Sequence, residues 1–134
     1  MPTLVLKLAP LPEPSRCQAL ASALTRITAD TLGKRADVTA VLIEALPPTR
    51  WWVGGEPVVR ATAMLEINIT AGTNTEAEKS RFIETAFAEL QRQCAPDAAL
   101  EPASYVIVHE LPATDWGYGG QTQQARKVAR MALA

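Results

Sequence analysis

The sequence predicts an α+β (α/β) fold in which two β-α-β units form one four-stranded sheet with two helices on one face. Three observations lead to this prediction: the chain contains an internal duplication, each copy alternates strand-like and helix-like segments, and each copy ends in a Gly-Gly turn. The 134 residues suffice for one compact domain or two very small ones. We expect a single domain made of two units, at approximately residues 1–60 and 61–134.

The duplication is clearest in the second half of each unit. Residues 41–55 read VLIEALPPTRWWVGG and residues 106–120 read VIVHELPATDWGYGG. The two segments share Leu-Pro, a threonine, a tryptophan and the final Gly-Gly at matching positions. Unrelated strand-loop segments usually match only in their hydrophobic residues, so the matched tryptophan and glycines indicate a true repeat.

Each unit is predicted to begin with a strand, because residues 2–8 and 62–69 alternate as half-buried strands do. A helix follows in each unit, with apolar or small residues at helical spacing. In the first helix these are Cys17, Leu20, Ala21, Leu24, Ile27 and Thr28, and in the second Ile83, Ala86, Phe87, Leu90 and Cys94. Thr75 and Glu78 have the spacing of a capping box, and Gly33 and Pro96 mark the two helix ends.

A strand-helix-strand crossover makes its two strands parallel. One such unit buries too little surface to be stable alone, so we expect the two units to join edge to edge. Helices on one face leave the other face uncovered, and apolar strand residues there predict oligomerisation around a symmetry axis. The candidates for that face are Leu4, Leu6, Val41 and Ile43 or their alternates, together with Ile107.

Composition excludes several classes of function. The net charge is −1 and no basic run is present, which argues against nucleic acid and anionic membranes as partners. No apolar stretch approaches the ~20 residues of a membrane span, and no signal-peptide pattern is present, so we expect a cytoplasmic protein. Cys17 and Cys94 are expected to be packed thiols, and His109 is the only histidine, so we expect neither a metal nor another cofactor.

The N-terminus offers a candidate catalytic group. Met1 and Pro2 lead directly into the first strand. If an aminopeptidase removes Met1, the chain begins with a secondary amine, which no other residue type supplies. A proline amine at the end of a buried strand can act as a general base. Many ordinary proteins also begin Met-Pro, so this dipeptide alone is weak evidence.

In combination, these features resemble the 4-oxalocrotonate tautomerase family: an N-terminal proline on a strand, a helix, a parallel strand and an aromatic-Gly-x-Gly-Gly tip. Residues 115–120 (DWGYGG) match this tip most closely, and residues 50–55 (RWWVGG) are a looser copy. The resemblance covers residues 2–55 and 62–120. It implies a tandem β-α-β tautomerase fold, as a fused two-unit member, and a homotrimer in place of the hexamer that single-unit members form.

The resemblance also implies an isomerase activity. Pro2, freed by removal of Met1, would be the catalytic general base that moves a proton on a small enol or 2-keto acid. The matching position of the second unit lies near Ala61 to Ala63, so the second unit has no catalytic amine.

One departure from the family concerns substrate binding. The family places one arginine just before the helix and another at the start of the second strand, where they bind a dicarboxylate. This chain has Leu11 or Pro12 and Thr39 or Ala40 at those places in the first unit, and Thr73 and Ser104 or Tyr105 in the second. The absent pair argues against a muconate-type dicarboxylate. The remaining candidates for substrate binding are Arg50, Arg60, Tyr105, Trp51, Trp52 and Trp116.

Two other functions remain open at this point. The chain fits a catalytically silent oligomeric binding or scaffold protein of the same fold. It also fits a related proline-dependent hydratase, dehalogenase or decarboxylase, because a protonated proline amine can act as a general acid toward an unsaturated acid.

Overall fold

A computed structural model describes all 134 residues, and its elements follow one another in two β-α-β groups, described below as the first and second unit. The first unit contains β1 (Thr3–Ala9), α1 (Pro14–Leu32), β2 (Ala40–Ala45) and a hairpin of β3 (Trp52–Val53) and β4 (Glu56–Pro57). The second contains β5 (Thr62–Thr70), α2 (Glu76–Cys94), β6 (Tyr105–Leu111) and a hairpin of β7 (Gly117–Tyr118) and β8 (Gln121–Thr122). A third helix that the sequence pattern did not indicate, α3 (Gln123–Ala132), follows the second hairpin.

The main sheet has the strand order β2-β1-β5-β6. Strands β1 and β2 are parallel, as are β5 and β6, and the units join through an antiparallel pairing of β1 with β5. This arrangement confirms the predicted four-stranded sheet. Because β1 and β5 are antiparallel, the start of β1 lies beside the end of β5, and the two units begin at opposite ends of the sheet.

Both helices pack on one face of this sheet and enclose the core. The strand residues on this face are fully or almost fully buried, as are the helix residues that meet them: Leu4, Leu6, Leu8, Leu65, Ile67, Ile69, Leu20, Leu24, Phe82 and Leu90. Burial of one such side chain contributes about 1.5–3 kcal/mol to stability. The core therefore spans both units.

The buried stripe of α2 differs from the predicted one. The residues that face the core are Phe82, Ala86, Leu90 and Gln93, whereas Ile83 and Phe87 are exposed at 39% and 36%. The apolar residues of this helix cover a stripe wider than one contact face, so their spacing alone does not fix which edge points inward. In α1, Leu20, Leu24, Ile27 and Thr28 are buried as predicted, whereas Cys17 and Ala21 are half-buried.

The predicted helix boundaries are confirmed. Helix α1 ends at Gly33, which adopts the left-handed conformation (φ 68°) and donates its N–H to the carbonyl of Ala29. Thr75 caps α2: its side chain accepts a hydrogen bond from the Glu78 N–H, and the Glu78 carboxylate accepts one from the Thr75 N–H. No helix in the chain combines the length and the apolar character required to cross a membrane.

The second face of the sheet carries no helix. Leu4, Leu6, Val41 and Ile43 all pack toward the helices, so their alternates are the residues on the uncovered face. Val5 and Leu42 pair across β1 and β2 there, and Glu66 pairs with Ile107 across β5 and β6. Leu42 and Tyr105 are more than half exposed on this face. The uncovered face combines apolar residues with a few charged ones, including the contact of His109 with Glu66 at 3.3 Å.

Candidate active site

A recess of about 340 Å³ lies at the start of β1, and we call it the Pro2 recess. Pro2 itself is buried, and its carbonyl accepts a hydrogen bond from the Ala40 N–H at the start of β2. Both halves of the chain contribute to the recess, and three of its residues are cationic. It is lined by Met1, Pro2, Gly33, Lys34, Arg35, Val38, Tyr118, Gln123 and Arg130.

The first unit supplies two of the cations through its topology. Since β2 runs parallel to β1, the loop between α1 and β2 must return to the end of the sheet where β1 begins. Gly33 terminates α1 at this point, and Lys34 and Arg35 follow it directly. Arg35 forms two hydrogen bonds with Asp37, at 2.6 and 3.2 Å, so its charge is partly compensated.

The second unit holds Lys34 in place. The Lys34 ammonium donates a hydrogen bond to the Thr73 hydroxyl at 2.9 Å, and that hydroxyl donates to the Thr70 carbonyl at 2.7 Å. The Asn74 amide also donates to the Leu32 carbonyl at the end of α1, at 2.9 Å. Burial lowers the pKa of Lys34, while Glu78 acts in the opposite direction. The loop between β5 and α2 therefore anchors both the end of α1 and Lys34, which follows that helix.

The C-terminal part of the chain forms the remaining wall. Tyr118 belongs to the second hairpin, and the Arg126 guanidinium lies 3.9 Å from the centre of its ring, in a cation–π contact. Arg126 also donates two hydrogen bonds to the Tyr118 carbonyl. Gln123 begins α3 and is buried, and Arg130 lies two turns further along the same helix. No acidic side chain lies within 4 Å of Lys34 or Arg130 as an ion-pair partner.

The recess has an electrostatic effect on the terminal amine. Burial lowers the pKa of the N-terminal amine of Met1, and the charges of Lys34, Arg130 and Arg35 lower it further. Each effect disfavours the protonated form: burial removes hydration from the charge, and nearby cations repel it. An amine at this place is therefore biased toward its neutral, basic form.

Solved structures with the same fold align over nearly the whole chain. The fused 4-OT R7, a wild-type asymmetric trimer, has a TM-score of 0.83 and 30% identity, over 93% of this chain and 98% of that chain. The fused 4-OT F6, also a wild-type asymmetric trimer, has a TM-score of 0.82 and 30% identity, over 92% and 98%. The chain belongs to the 4-oxalocrotonate tautomerase family, as a fused two-unit member.

One further structure shares the fold of this fused tautomerase at lower identity. Pt0534, inactivated by 2-oxo-3-pentynoate, has a TM-score of 0.82 and 14% identity, over 92% of this chain and 98% of that chain. No protein-family model and no curated protein matches the sequence.

Most of the predicted substrate-binding residues of the fused tautomerase lie away from Pro2 within one chain. Arg50, Trp51 and Trp52 follow β2, whereas Arg60 precedes β5 and Tyr105 begins β6. All five are at the opposite end of the sheet, roughly 20 Å from Pro2 along a seven-residue strand. Within the chain they do not meet Pro2, and their role in substrate binding stays a prediction.

Trp116 is the predicted binding residue that lies at the Pro2 end of the sheet. It is half-buried below the second hairpin, and its indole N–H is buried without a hydrogen-bond partner. It lines a separate shallow recess of about 290 Å³ formed by residues of the second hairpin. Trp116 therefore supports the hairpin that carries Tyr118 and does not itself line the Pro2 recess.

Sequence reasoning missed Lys34, Arg35, Gln123 and Arg130. Lys34 and Arg35 had a usable signal, because two basic residues after a helix-ending glycine must lie beside the start of a parallel first strand. Gln123 and Arg130 had none, since the family pattern ends at Gly120. The cations of the recess, Lys34, Arg35 and Arg130, therefore lie at positions other than those of the family's arginine pair.

Proposed function

We propose that this fused tautomerase is an isomerase that moves a proton on a small enol or 2-keto acid, with the Pro2 nitrogen as general base after removal of Met1. The observation that supports it best is the convergence of Pro2 with Lys34, Arg35 and Arg130 in one recess. A base and a set of cations are the two components that such a reaction needs: one accepts the proton, and the other binds the carboxylate and the developing enolate.

Removal of Met1 would place the terminal amine one residue deeper in the recess. The same burial and the same cations that lower the pKa of the Met1 amine would then act on the Pro2 amine. An ordinary α-amino group titrates at about 7.7–8.0. A lowered pKa leaves a larger fraction of the Pro2 amine unprotonated near neutral pH, which is the form that accepts a proton.

We assign the binding of the substrate carboxylate to Lys34 and Arg130. Neither has an acidic partner within 4 Å, whereas Arg35 is engaged by Asp37. The Thr73 hydroxyl fixes the Lys34 ammonium, so less entropy is lost when the ammonium binds an anion.

The reaction then consists of two proton transfers. The neutral Pro2 nitrogen takes the proton from the enol hydroxyl, and the enolate charge is stabilised by the cations of the recess. The protonated amine returns that proton to a carbon of the conjugated system. The enol becomes the 2-keto acid, and the amine regains its neutral form with no other reagent consumed.

Covalent labelling tests whether Pro2 carries a free, reactive amine. With 2-oxo-3-pentynoate, we expect the nitrogen of Pro2 to form a bond to C4 while its proton moves to C3, so the chain gains the mass of one whole reagent. Intact-mass analysis gives the stoichiometry, and peptide mapping should locate the adduct on a peptide that begins at Pro2. The result expected is one adduct per chain with loss of ketonisation of phenylenolpyruvate.

Two outcomes would contradict the proposal. One is a chain that retains Met1, because the Pro2 nitrogen is then an amide without a basic lone pair. The other is full activity in a chain that is quantitatively labelled at Pro2, because the alkylated nitrogen can no longer accept the proton. A chain that folds and assembles but ketonises neither phenylenolpyruvate nor 2-hydroxymuconate would instead indicate the binding or scaffold function.

We also propose that the chain assembles as a homotrimer around the uncovered sheet face. The fused 4-OT structures R7 and F6 are trimers, and this face carries exposed Leu42 and Tyr105 and half-buried Ile107. Light scattering is expected to give three times the chain mass of 14.4 kDa. Leu42→Asp should dissociate the trimer because it buries an unpaired charge, whereas Val59→Asp, at an exposed residue off the sheet, should not. A monomer mass for the unaltered chain would refute the assembly.

A further inference from the structure

A hollow lined by both units lies at the end of the sheet opposite to Pro2. Strand register identifies the residue that corresponds to Pro2. Leu4 pairs with Val41 and Leu65 pairs with Val106, and the two valines are equivalent in the repeat, so Leu65 corresponds to Leu4 and Ala63 to Pro2. The Ala63 nitrogen is a peptide N–H that donates to the Ser104 hydroxyl at 3.1 Å. This end of the sheet therefore has no basic amine.

The hollow consists of two adjoining cavities that share Ala61 and Cys94, and we call it the Ala61 hollow. The cavities have volumes of about 340 and 500 Å³. Small apolar residues, including Ala61, Ala95 and Ala98, form much of the second cavity. The space suits a short aliphatic chain, since alanine side chains leave room without contributing polar groups.

Arg16, from the first turn of α1, lines the first cavity of this hollow, and Arg60, from the segment before β5, lines the second. Neither forms a salt bridge, although Glu13 also lines the cavity of Arg16. Burial raises the pKa of the Cys94 thiol, with Arg16 acting in the opposite direction, so the thiol stays neutral at physiological pH. The two guanidinium groups are therefore available to an external anion, and their planar forks suit a carboxylate.

The walls of the hollow are held by side-chain hydrogen bonds. The Gln91 amide donates to the carbonyls of Ala95 and Ala98, at 2.7 and 2.6 Å, and its oxygen accepts from the Leu100 N–H at 3.0 Å. The buried Gln93 amide donates to Glu89 at 2.8 Å and to the Ala19 carbonyl of α1 at 3.4 Å. A wall fixed in this way binds a ligand with little ordering cost.

We propose that the Ala61 hollow is a second, non-catalytic binding site for a small aliphatic monocarboxylate. Arg16 and Arg60 bind the carboxylate, and the alanine-lined cavity accommodates the short chain. The ligand undergoes no proton transfer there, because the residue that corresponds to Pro2 is an internal alanine.

Titration of the ¹⁵N-labelled full chain with butanoate tests this site. We expect amide shifts at Ala61, Ala95 and Ala98 that saturate with a Kd on the order of 1–10 mM. The double variant Arg16→Gln, Arg60→Gln should weaken this binding by about tenfold or more. Arg26→Gln, which removes an exposed arginine of α1 outside the hollow, should leave it unchanged. Ala98→Leu fills the cavity without changing charge and should also weaken binding.

Three results would overturn the proposal: no shift at Ala61 up to about 10 mM butanoate, unchanged affinity in the double arginine variant, or unchanged affinity in Ala98→Leu. Shifts at Gly33 to Arg35 report the Pro2 recess separately. Pro2→Ala should leave the titration at Ala61 intact, so a failure of the proposed catalytic function and a failure of this site give different results.

Discussion

Replacement of Pro2 with alanine is expected to lower kcat/KM for the ketonisation of phenylenolpyruvate by about 10²-fold or more, because general acid–base catalysis by a positioned group contributes roughly 10²–10⁴-fold. Alanine leaves a primary amine after removal of Met1, without the ring that fixes the direction of the nitrogen lone pair. Steady-state kinetics with intact-mass control of the N-terminus measure the effect. The cations of the recess are unchanged in this variant, so KM should change less than kcat.

A second variant separates the nitrogen of Pro2 from its side chain. One extra alanine between Met1 and Pro2 keeps the proline ring but makes its nitrogen an amide, and activity should fall at least as far as in Pro2→Ala. Pro102→Ala, in the loop before β6 at the far end of the sheet, is the matched control and should retain full activity. Turnover that persists in the extended chain would rule out the proline base.

The architecture was predictable because local patterns and the repeat agree. Alternation in residues 2–8 and 62–69 identified the strands, and the Thr75–Glu78 capping box and Gly33 identified helix ends. The sequence did not determine which face of each strand points toward the helices, because neighbouring residues such as Leu4 and Val5 are both apolar. Phe82 and Ile83 present the same ambiguity on α2. Packing against the other unit determines which of two neighbouring apolar residues faces the core. A local sequence pattern contains no information about that packing.

The candidate site was only partly predictable. Pro2 and the tip at residues 116–120 were recognised from the family pattern, and Tyr118, at the variable position of that tip, lines the recess together with Pro2. Lys34 lies 32 positions from Pro2 in sequence, and its place follows only from the parallel pairing of β1 with β2. Arg130 reaches the recess through α3, whose start is set by the Thr122 cap and the Gln123 N–H bond to the Trp116 carbonyl. Side chains assembled by tertiary contacts of this kind have no sequence spacing by which they could be recognised.

Replacement of Lys34 with glutamine is expected to raise KM for a 2-keto acid or its enol by about 10-fold or more, because a hydrogen bond to a charged group contributes about 1.5–3 kcal/mol. Arg130→Gln should act in the same direction. Lys127→Gln removes a positive charge from the same helix but does not line the recess, so it is the matched control. An effect of Lys127→Gln equal to that of Arg130→Gln would indicate a general charge effect and contradict the assignment.

The pH profile of Lys34→Gln provides a readout that a purely structural role would not change. The Pro2 base must be unprotonated, so activity is lost as the pH falls through the pKa of the amine. Since the Lys34 charge lowers the pKa of the terminal amine, its removal raises that pKa and moves the acid limb of kcat/KM to higher pH. Lys34 must be protonated to bind the carboxylate, and burial lowers its pKa below the ordinary 10.5. Activity should therefore also fall at high pH, and this basic limb should disappear in Lys34→Gln. An acid limb that stays in place would mean that Lys34 does not act on the Pro2 amine.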